Sequence, residues 1–436
     1  MRQVLDLMNK FSKKDEESIE FINNQFLEPH FNKNILFVNP QLNGRNFYKY
    51  IMPYILLYEF DVMGTAIIGM DKFKPNNEYD FTNIPLYSKQ ILWADYIVFP
   101  FSAQNLSPLY ENIRYINPEV KIVYNVDFNF YLLGKTHPLF DKFNNEESIS
   151  ILEDNIFFAD LCLTTNQELS KYLAEKFSKE LNETKYKDIE SNVEIATLPL
   201  LIDEQLIMEN FENVKPAPKN SELEKNIENP TDISNENVEN QPKDETEKAE
   251  EEPIPLKVGI IASNYTWEDI SSYKEQFKEI QEKLGNKVVF YVLGYDGIDL
   301  KTNKNCFPTD FKFEYIKPCT IIHYFKQLYA LELDLVFIPL RKNDFNETSE
   351  NYNKFLEAGI FSIPVMVIDS FPYNQLIKDG ENGIILKNKK DFLIKLEHYI
   401  QNKQELVDIG INAFNFIQDN FSYSEYTIGI FDDILQ

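Results

Sequence analysis

Cysteine is scarce. Cys162, Cys306 and Cys319 are the only three in 436 residues. That excludes a disulfide scaffold and leaves too few thiolates for a cysteine-ligated zinc centre. No uninterrupted apolar run approaches the roughly 20 residues that cross a bilayer as a helix, so no membrane span is expected. The first residues, MRQVLDLMNKFSKKDEESIEF, carry acids where a secretion signal needs an apolar core. A reduced, cytoplasmic setting is therefore expected. Positive charge is also in short supply, with 43 Lys and Arg against 70 Asp and Glu and a net charge of -27. Such a surface repels a phosphate backbone, which argues against nucleic acid or an anionic membrane surface as a partner. No Gly-x-Gly-x-x-Gly follows the first strand, so a dinucleotide-binding oxidoreductase is not expected.

What is present is a long alternation of strand and helix patterns. The length calls for two domains. Between them, residues 215–255 hold twelve Asp or Glu against five Lys and no Phe, Tyr or Trp. This stretch has too little apolar surface to offset its ordering entropy and reads as a disordered acidic linker. A docking site for a basic partner is the alternative. Before it, NILFVNP, GTAIIGM, DYIVFPF, KIVYNVD, DLCLTT and VEIATLPL read as buried strands; after it, KVGIIAS, KVVFYVLG, KFEYIKP, DLVFIPL, PVMVID and GIIL do. Helical patterns separate them, including NFYKYIMPYILLYEF and a stretch from about Trp267 to Leu284. Continuous apolar strands alternating with helices imply parallel sheets covered on both faces. The expected fold is α/β, two facing Rossmann-like domains. Residues 1–33 form an N-terminal helical arm, 34–214 the first domain, 256–420 the second, and 421–436 a helix crossing back.

Ligands in such sheets bind beyond the carboxyl ends of the strands. DLVFIPL is followed there by RKNDFNETSENYNKFLEAG. Ser349 is read as the N-cap of the next helix, with Glu350, Lys354 and Glu357 near one of its faces at steps of four and three. The first turn of that helix would offer N–H groups to a diphosphate, with Arg341, Lys342 and Lys354 adding charge. Glu357 would accept two hydrogen bonds from a ribose diol. A surface helix laced with ion pairs accounts for the same spacing. Elsewhere, Trp267 and Asp269 follow the first strand of the second domain, either facing the cleft or anchoring a helix. Gly294 and Tyr295 end another strand, at the carboxyl edge where a ligand is expected. His137 follows the Asp127 strand and is a candidate for acid–base work or an incidental loop residue.

From Leu335 to Leu386 the order Pro-Leu, Phe345-Asn346, Lys354-x-x-Glu357-Ala, Pro-Val, Pro372-Tyr373-x-x-x-Ile and Asp-Gly-x-x-Gly resembles the donor-binding half of group-1-type, family-four-like glycosyltransferases of the GT-B fold. Within that group it is similar to the phage and bacterial transferases for surface polysaccharide. Gly44, Tyr48 and Pro53 resemble the Gly-x-x-x-Tyr-Arg-x-x-x-Pro motif of the same group, with Lys49 in place of the Arg, and NIFFADLCLTTNQELSKYL resembles its helix–Ala-Asp–strand–Thr-Thr–helix step. The resemblance implies a nucleotide-sugar donor held by Glu357, Lys354, Ser349, Asn346, Arg341, Tyr373, Gly294 and Trp267. It implies a glycan, lipid-linked or protein acceptor near Gly44, Tyr48 and His137, with Asp127 and Glu350 as catalytic residues. It further implies retention at the anomeric carbon and no cofactor or metal; the sequence has no Asp-x-Asp pair of the metal-dependent transferases. With inversion instead, Asp127 is the general base. The family's paired glutamates lie eight apart, and here Ser349 stands eight before Glu357, with Phe128 after Asp127 where a second acid is usual. A catalytically degenerate GT-B protein with a binding or structural role, or a sugar-nucleotide epimerase of the same fold, stays open on these residues.

Overall fold

The computed structural model describes residues 31–39, 46–69, 84–189, 193–209, 254–298, 304–319 and 321–435. The expected helical arm before residue 31, Gly44, and the acidic stretch up to residue 253 lie outside the described residues. The twelve apolar runs picked out above form twelve strands, in two all-parallel six-stranded sheets.

The first sheet has the order β2-β1-β3-β4-β5-β6. Its strands are β1 (Asn34–Asn39), β2 (Gly64–Gly69), β3 (Tyr96–Phe99), β4 (Lys121–Val126), β5 (Leu161–Thr164) and β6 (Glu194–Thr197). A π turn, Phe47–Ile51, runs into α1 (Met52–Glu59). Pro53 is the second residue of α1 and has no N–H to return to the preceding turn, which widens there. The other crossovers are α2 (Ile84–Trp93), α3 (Ser107–Ile116), α4 (Phe140–Phe143), α5 (Glu146–Phe157) and α6 (Gln167–Glu175), with α7 (Glu204–Glu209) after the last strand.

The second sheet has the order β12-β11-β10-β7-β8-β9. It comprises β7 (Leu256–Ile261), β8 (Val288–Leu293), β9 (Glu314–Ile316), β10 (Leu335–Ile338), β11 (Val365–Ile368) and β12 (Ile384–Leu386). The helix expected over Trp267–Leu284 is two, α8 (Trp267–Ser271) and α9 (Lys274–Leu284). They part at Ser272, whose hydroxyl bonds back to Asp269 O and competes with the helix ladder. Then come α10 (Ile321–Ala330), α11 (Asp344–Ser349), α12 (Asn353–Gly359), α13 (Tyr373–Leu376), α14 (Asp391–Gln401), α15 (Lys403–Phe421) and α16 (Glu425–Ile434). Among the described residues no helix is long and apolar enough to cross a membrane.

Successive strand side chains point to opposite faces. Leu36 and Val38 pack with α3 and α5, while Ile35 and Phe37 face the other way. That inner face shares one apolar cluster with α1, Leu200–Ile202, Val336 and Ile338 of β10, Phe355 and Leu356 of α12, and Phe431 and Leu435 at the chain's end. One core therefore runs through both domains. The last helix lies on the N-terminal sheet, where Tyr96 Oη donates to Leu435 O, and Ile202 N donates to Phe421 O at 2.9 Å. Gly359 lets α12 come close to α15, where a side chain would collide with Ile417, and Gly410 of α15 lies against the carbonyl of Ser362 in the turn after α12. That close packing fixes the depth of α12.

Tyr352 ties the domains directly. Its hydroxyl accepts from Leu200 N at 2.8 Å and donates to Leu200 O. Tyr352→Phe leaves that buried N–H without a partner and is expected to cost about 1–3 kcal/mol, read by urea unfolding of the full chain. An unchanged midpoint would reject the bond as a stabilising tie.

Candidate functional site

Each sheet reverses its winding at one place, between β1 and β3 in the first and between β7 and β10 in the second. Ligand sites form at such switch points. The loops after β7 and β10 meet there. Asp269, buried in α8, accepts from Arg341 N at 3.0 Å, Arg341 Nε at 2.9 Å and Asn346 Nδ2 at 2.8 Å. Arg341 also donates to Glu268 at 2.6 Å. Burial raises the Asp269 carboxyl above its ordinary range, and Arg341 pulls it back. Asp269 is thus an anchor for the loop that carries Asn346. Trp267 is half-buried and donates to Lys304 O at 3.3 Å. Gly294 has φ +90°, and a Cβ there would lie 2.8 Å from Ala262 O, so it serves the backbone between β7 and β8.

The helix expected to open at Ser349 is in fact α11 and α12, with a break over Glu350–Tyr352. Ser349 ends α11, and its Oγ accepts from Asn129 N at 2.9 Å instead of capping α12. Glu350 is extended, at ψ 143°. The cause lies in short polar side chains competing with the backbone. Asn166 of the first domain donates to both Glu347 O and Glu350 O, at 3.1 and 2.7 Å, while Asn351 Oδ1 accepts from Asn353 N. Phe355 and Leu356 N–H bond to Tyr352 O, so three of the first four N–H groups of α12 are taken. Glu350 still meets Lys354, at 2.8 Å, and accepts from Tyr373 Oη at 3.1 Å.

Glu357 is the most enclosed carboxylate of the group, at 3% exposure. Its Oε1 accepts from Tyr48 Oη of the first domain at 2.8 Å and from Asn353 Nδ2 at 2.9 Å; its Oε2 accepts from Tyr324 Oη at 2.6 Å. Burial raises its pKa above the ordinary value of 4.5, against the lowering effect of these three donors and Lys354. Tyr48 and Tyr324 are in turn held well above the usual phenol range by burial and by the facing carboxylate. Tyr324 and Asn353 escaped the sequence reading. Asn353 had a signal, since it lies four before Glu357 on one helix.

On the first domain's side, Lys49 Nζ pairs with Asp127 at 2.5 Å. Asn129, two residues on, makes the bond to Ser349, one residue from Glu350, so the two expected catalytic carboxylates sit on loops that touch. His137 is buried, its ring 5.9 Å from Tyr265 and 5.4 Å from Phe345 of the second domain, with Nδ1 accepting from Leu139 N. Thr136 Oγ1 donates to Glu268, closing the cleft's rim. Among the described residues no three His, Cys, Asp or Glu side chains come together as a metal-binding group.

The architecture has solved counterparts. HepE from Anabaena, in complex with UDP, superposes at a TM-score of 0.52 with 12% identity over 92% of this chain and 98% of that one. Sucrose-phosphate synthase from Thermosynechococcus elongatus gives 0.51 with 9% identity over 92% and 98%. The N-terminal domain of Candida albicans trehalose-6-phosphate phosphatase gives 0.51 with 13% over 94% and 97%. This is the GT-B fold. At these identities the likeness concerns the fold alone. No protein-family model matches the sequence, and no curated protein matches it.

The raised pKa of Glu357 sets a pH dependence. A carboxyl whose folded pKa exceeds its unfolded one contributes stability that is complete below the unfolded pKa and is lost as pH rises through the folded value. The stability of the wild type relative to Glu357→Gln is therefore expected to fall as pH rises from about 4 upward. Urea unfolding of both proteins across pH 4–8 reads this difference, in which the other groups cancel. A difference that rises with pH would contradict the assignment.

Proposed function

We propose that this protein is a glycosyltransferase. It moves a sugar from a nucleotide-sugar donor on the C-terminal domain to a glycan, lipid-linked or protein acceptor on the N-terminal domain, in the cytoplasm. The observation that carries this reading is Glu357, a buried carboxylate beyond the second sheet with both oxygens turned to hydroxyl donors. A salt-bridged surface helix would not bury it. The sugar diol of a nucleoside supplies hydroxyls of the same kind. HepE has been solved with UDP and with UDP-glucose, which supports a nucleotide-sugar donor on this fold.

In this reading Glu357 binds ribose, and Lys354 and Arg341 neutralise the diphosphate with Asn346, Ser349 and Tyr373 beside them. Trp267 and Gly294 border the donor, and Gly44, Tyr48 and His137 belong to the acceptor side. Transfer proceeds with retention and without metal. The anomeric C–O bond to phosphate breaks, the acceptor oxygen attacks the same face, and its proton passes to the leaving phosphate oxygen. The protein contributes position and charge. Asp127 orients the acceptor, and Glu350 holds Lys354 in place.

One observation favours a second reading. Lys49, Lys354 and Arg341 are each ion-paired already, and Tyr48 sits on Glu357. In that reading the chain is a degenerate GT-B protein that binds or scaffolds without turnover. Thermal-shift titration with UDP, GDP, ADP, CMP and their sugar conjugates separates the two. A donor at a hundred times its Kd stabilises the native state by about 2.7 kcal/mol. Glu357→Gln and Lys354→Ala are expected to weaken that binding roughly tenfold or more, and hydrolysis of the conjugate then reports turnover. Absence of any shift at millimolar ligand would favour the degenerate protein.

A further inference from the structure

Tyr48 and Tyr324 approach the two different oxygens of one carboxylate, and they come from different domains. Tyr324 is on α10, in the same domain as Glu357. Tyr48 is on the π turn of the other, 309 residues away in sequence. Two hydroxyls on neighbouring carbons of a sugar ring bridge a carboxylate in the same manner, one to each oxygen. With Asn353 also on Oε1, the carboxylate has three donors and little room for two more. Tyr48 is 4% exposed and Glu357 3%, so a ligand cannot reach this carboxylate while the domains stand as they do.

We propose that Tyr48 is a built-in occupant of the nucleoside site, holding the Glu357 oxygen that a ribose hydroxyl takes in the loaded protein. The inference rests on the donor-site reading above. Nucleotide binding then requires the first domain to withdraw Tyr48. The contacts that release with it are the polar ones of Thr136 to Glu268, Asn129 to Ser349 and Asn166 to the end of α11, and the ring contacts of Phe47 with Phe325, of Phe128 with Phe345 and of His137 with Tyr265 and Phe345. The apolar crossing at Ile202 and Phe421, and the last helix on the first sheet, stay as the pivot. Tyr324 and Asn353 travel with Glu357 and remain in the loaded site. A site whose competent form is a minor population binds with its affinity reduced by that fraction. Removing the Tyr48 hydroxyl raises the fraction, while removing the Tyr324 hydroxyl takes away part of the site itself.

The test is calorimetric titration of the full chain with UDP and GDP, in wild type, Tyr48→Phe and Tyr324→Phe. Tyr48→Phe is expected to bind the preferred nucleotide roughly tenfold more tightly than wild type, and Tyr324→Phe no more tightly. Hydrogen exchange of the wild type is a second readout that needs no variant to fold: amides of Phe47–Ile51 are expected to exchange faster with nucleotide bound. Equal or weaker binding by Tyr48→Phe, with unchanged or slower exchange, overturns the proposal and leaves the donor site standing. No binding by wild type or by either variant overturns both.

Discussion

A carboxylate taken out of water must be given hydrogen-bond donors or it destabilises the fold. Glu357 is that carboxylate here, and much of the domain arrangement follows from supplying it. Asn353 comes from its own helix, Tyr324 from the preceding crossover, and Tyr48 from the opposite domain. The position of α12 is set by close packing against α15, so Glu357 cannot back away toward solvent. The cleft between the domains closes over a group that neither domain satisfies alone.

The same economy governs the other charges. Lys49 meets Asp127, Lys354 meets Glu350, and Arg341 meets both Asp269 and Glu268. Each pair lies within one domain, whereas no ion pair described above joins the domains: the amide of Asn166 and the hydroxyls of Ser349 and Tyr352 bond neutral partners, and the hydroxyls of Thr136 and Tyr48 donate to Glu268 and Glu357. Neutral hydrogen bonds cost less to exchange for water than buried ion pairs do. The interface can separate without exposing an unpaired charge, apart from Glu357 itself.

Most strands were legible because their side chains are buried on both faces, which writes a continuous apolar run into the chain; the edge strands β6 and β9 are only partly covered. Helix continuity was less legible. The run NETSEN has helix-compatible spacing, yet Thr348 and Asn351 bond locally to the backbone, Ser349 is drawn to Asn129, and Asn166 draws away the carbonyls at the break. Asn343 does cap α11, its Oδ1 accepting from Asn346 N at 2.8 Å, and its place before an acidic first turn was a readable signal. The partners of the site residues were not readable. Tyr48 is separated from Glu357 by 309 positions, Lys49 from Asp127 by 78 and Asp269 from Arg341 by 72. Only the fold brings them together.

The last helix has a consequence for how the protein is made. Phe431 and Leu435 complete the inner face of the first sheet, together with Ile35, Phe37, Val98 and Leu163. The amino-terminal domain is therefore built from both ends of the chain. On the ribosome, its strands emerge long before the helix that covers them. At a synthesis rate of about 5–20 residues per second, the wait is on the order of ten seconds or more. During that time an apolar sheet face stays uncovered and open to association with other chains.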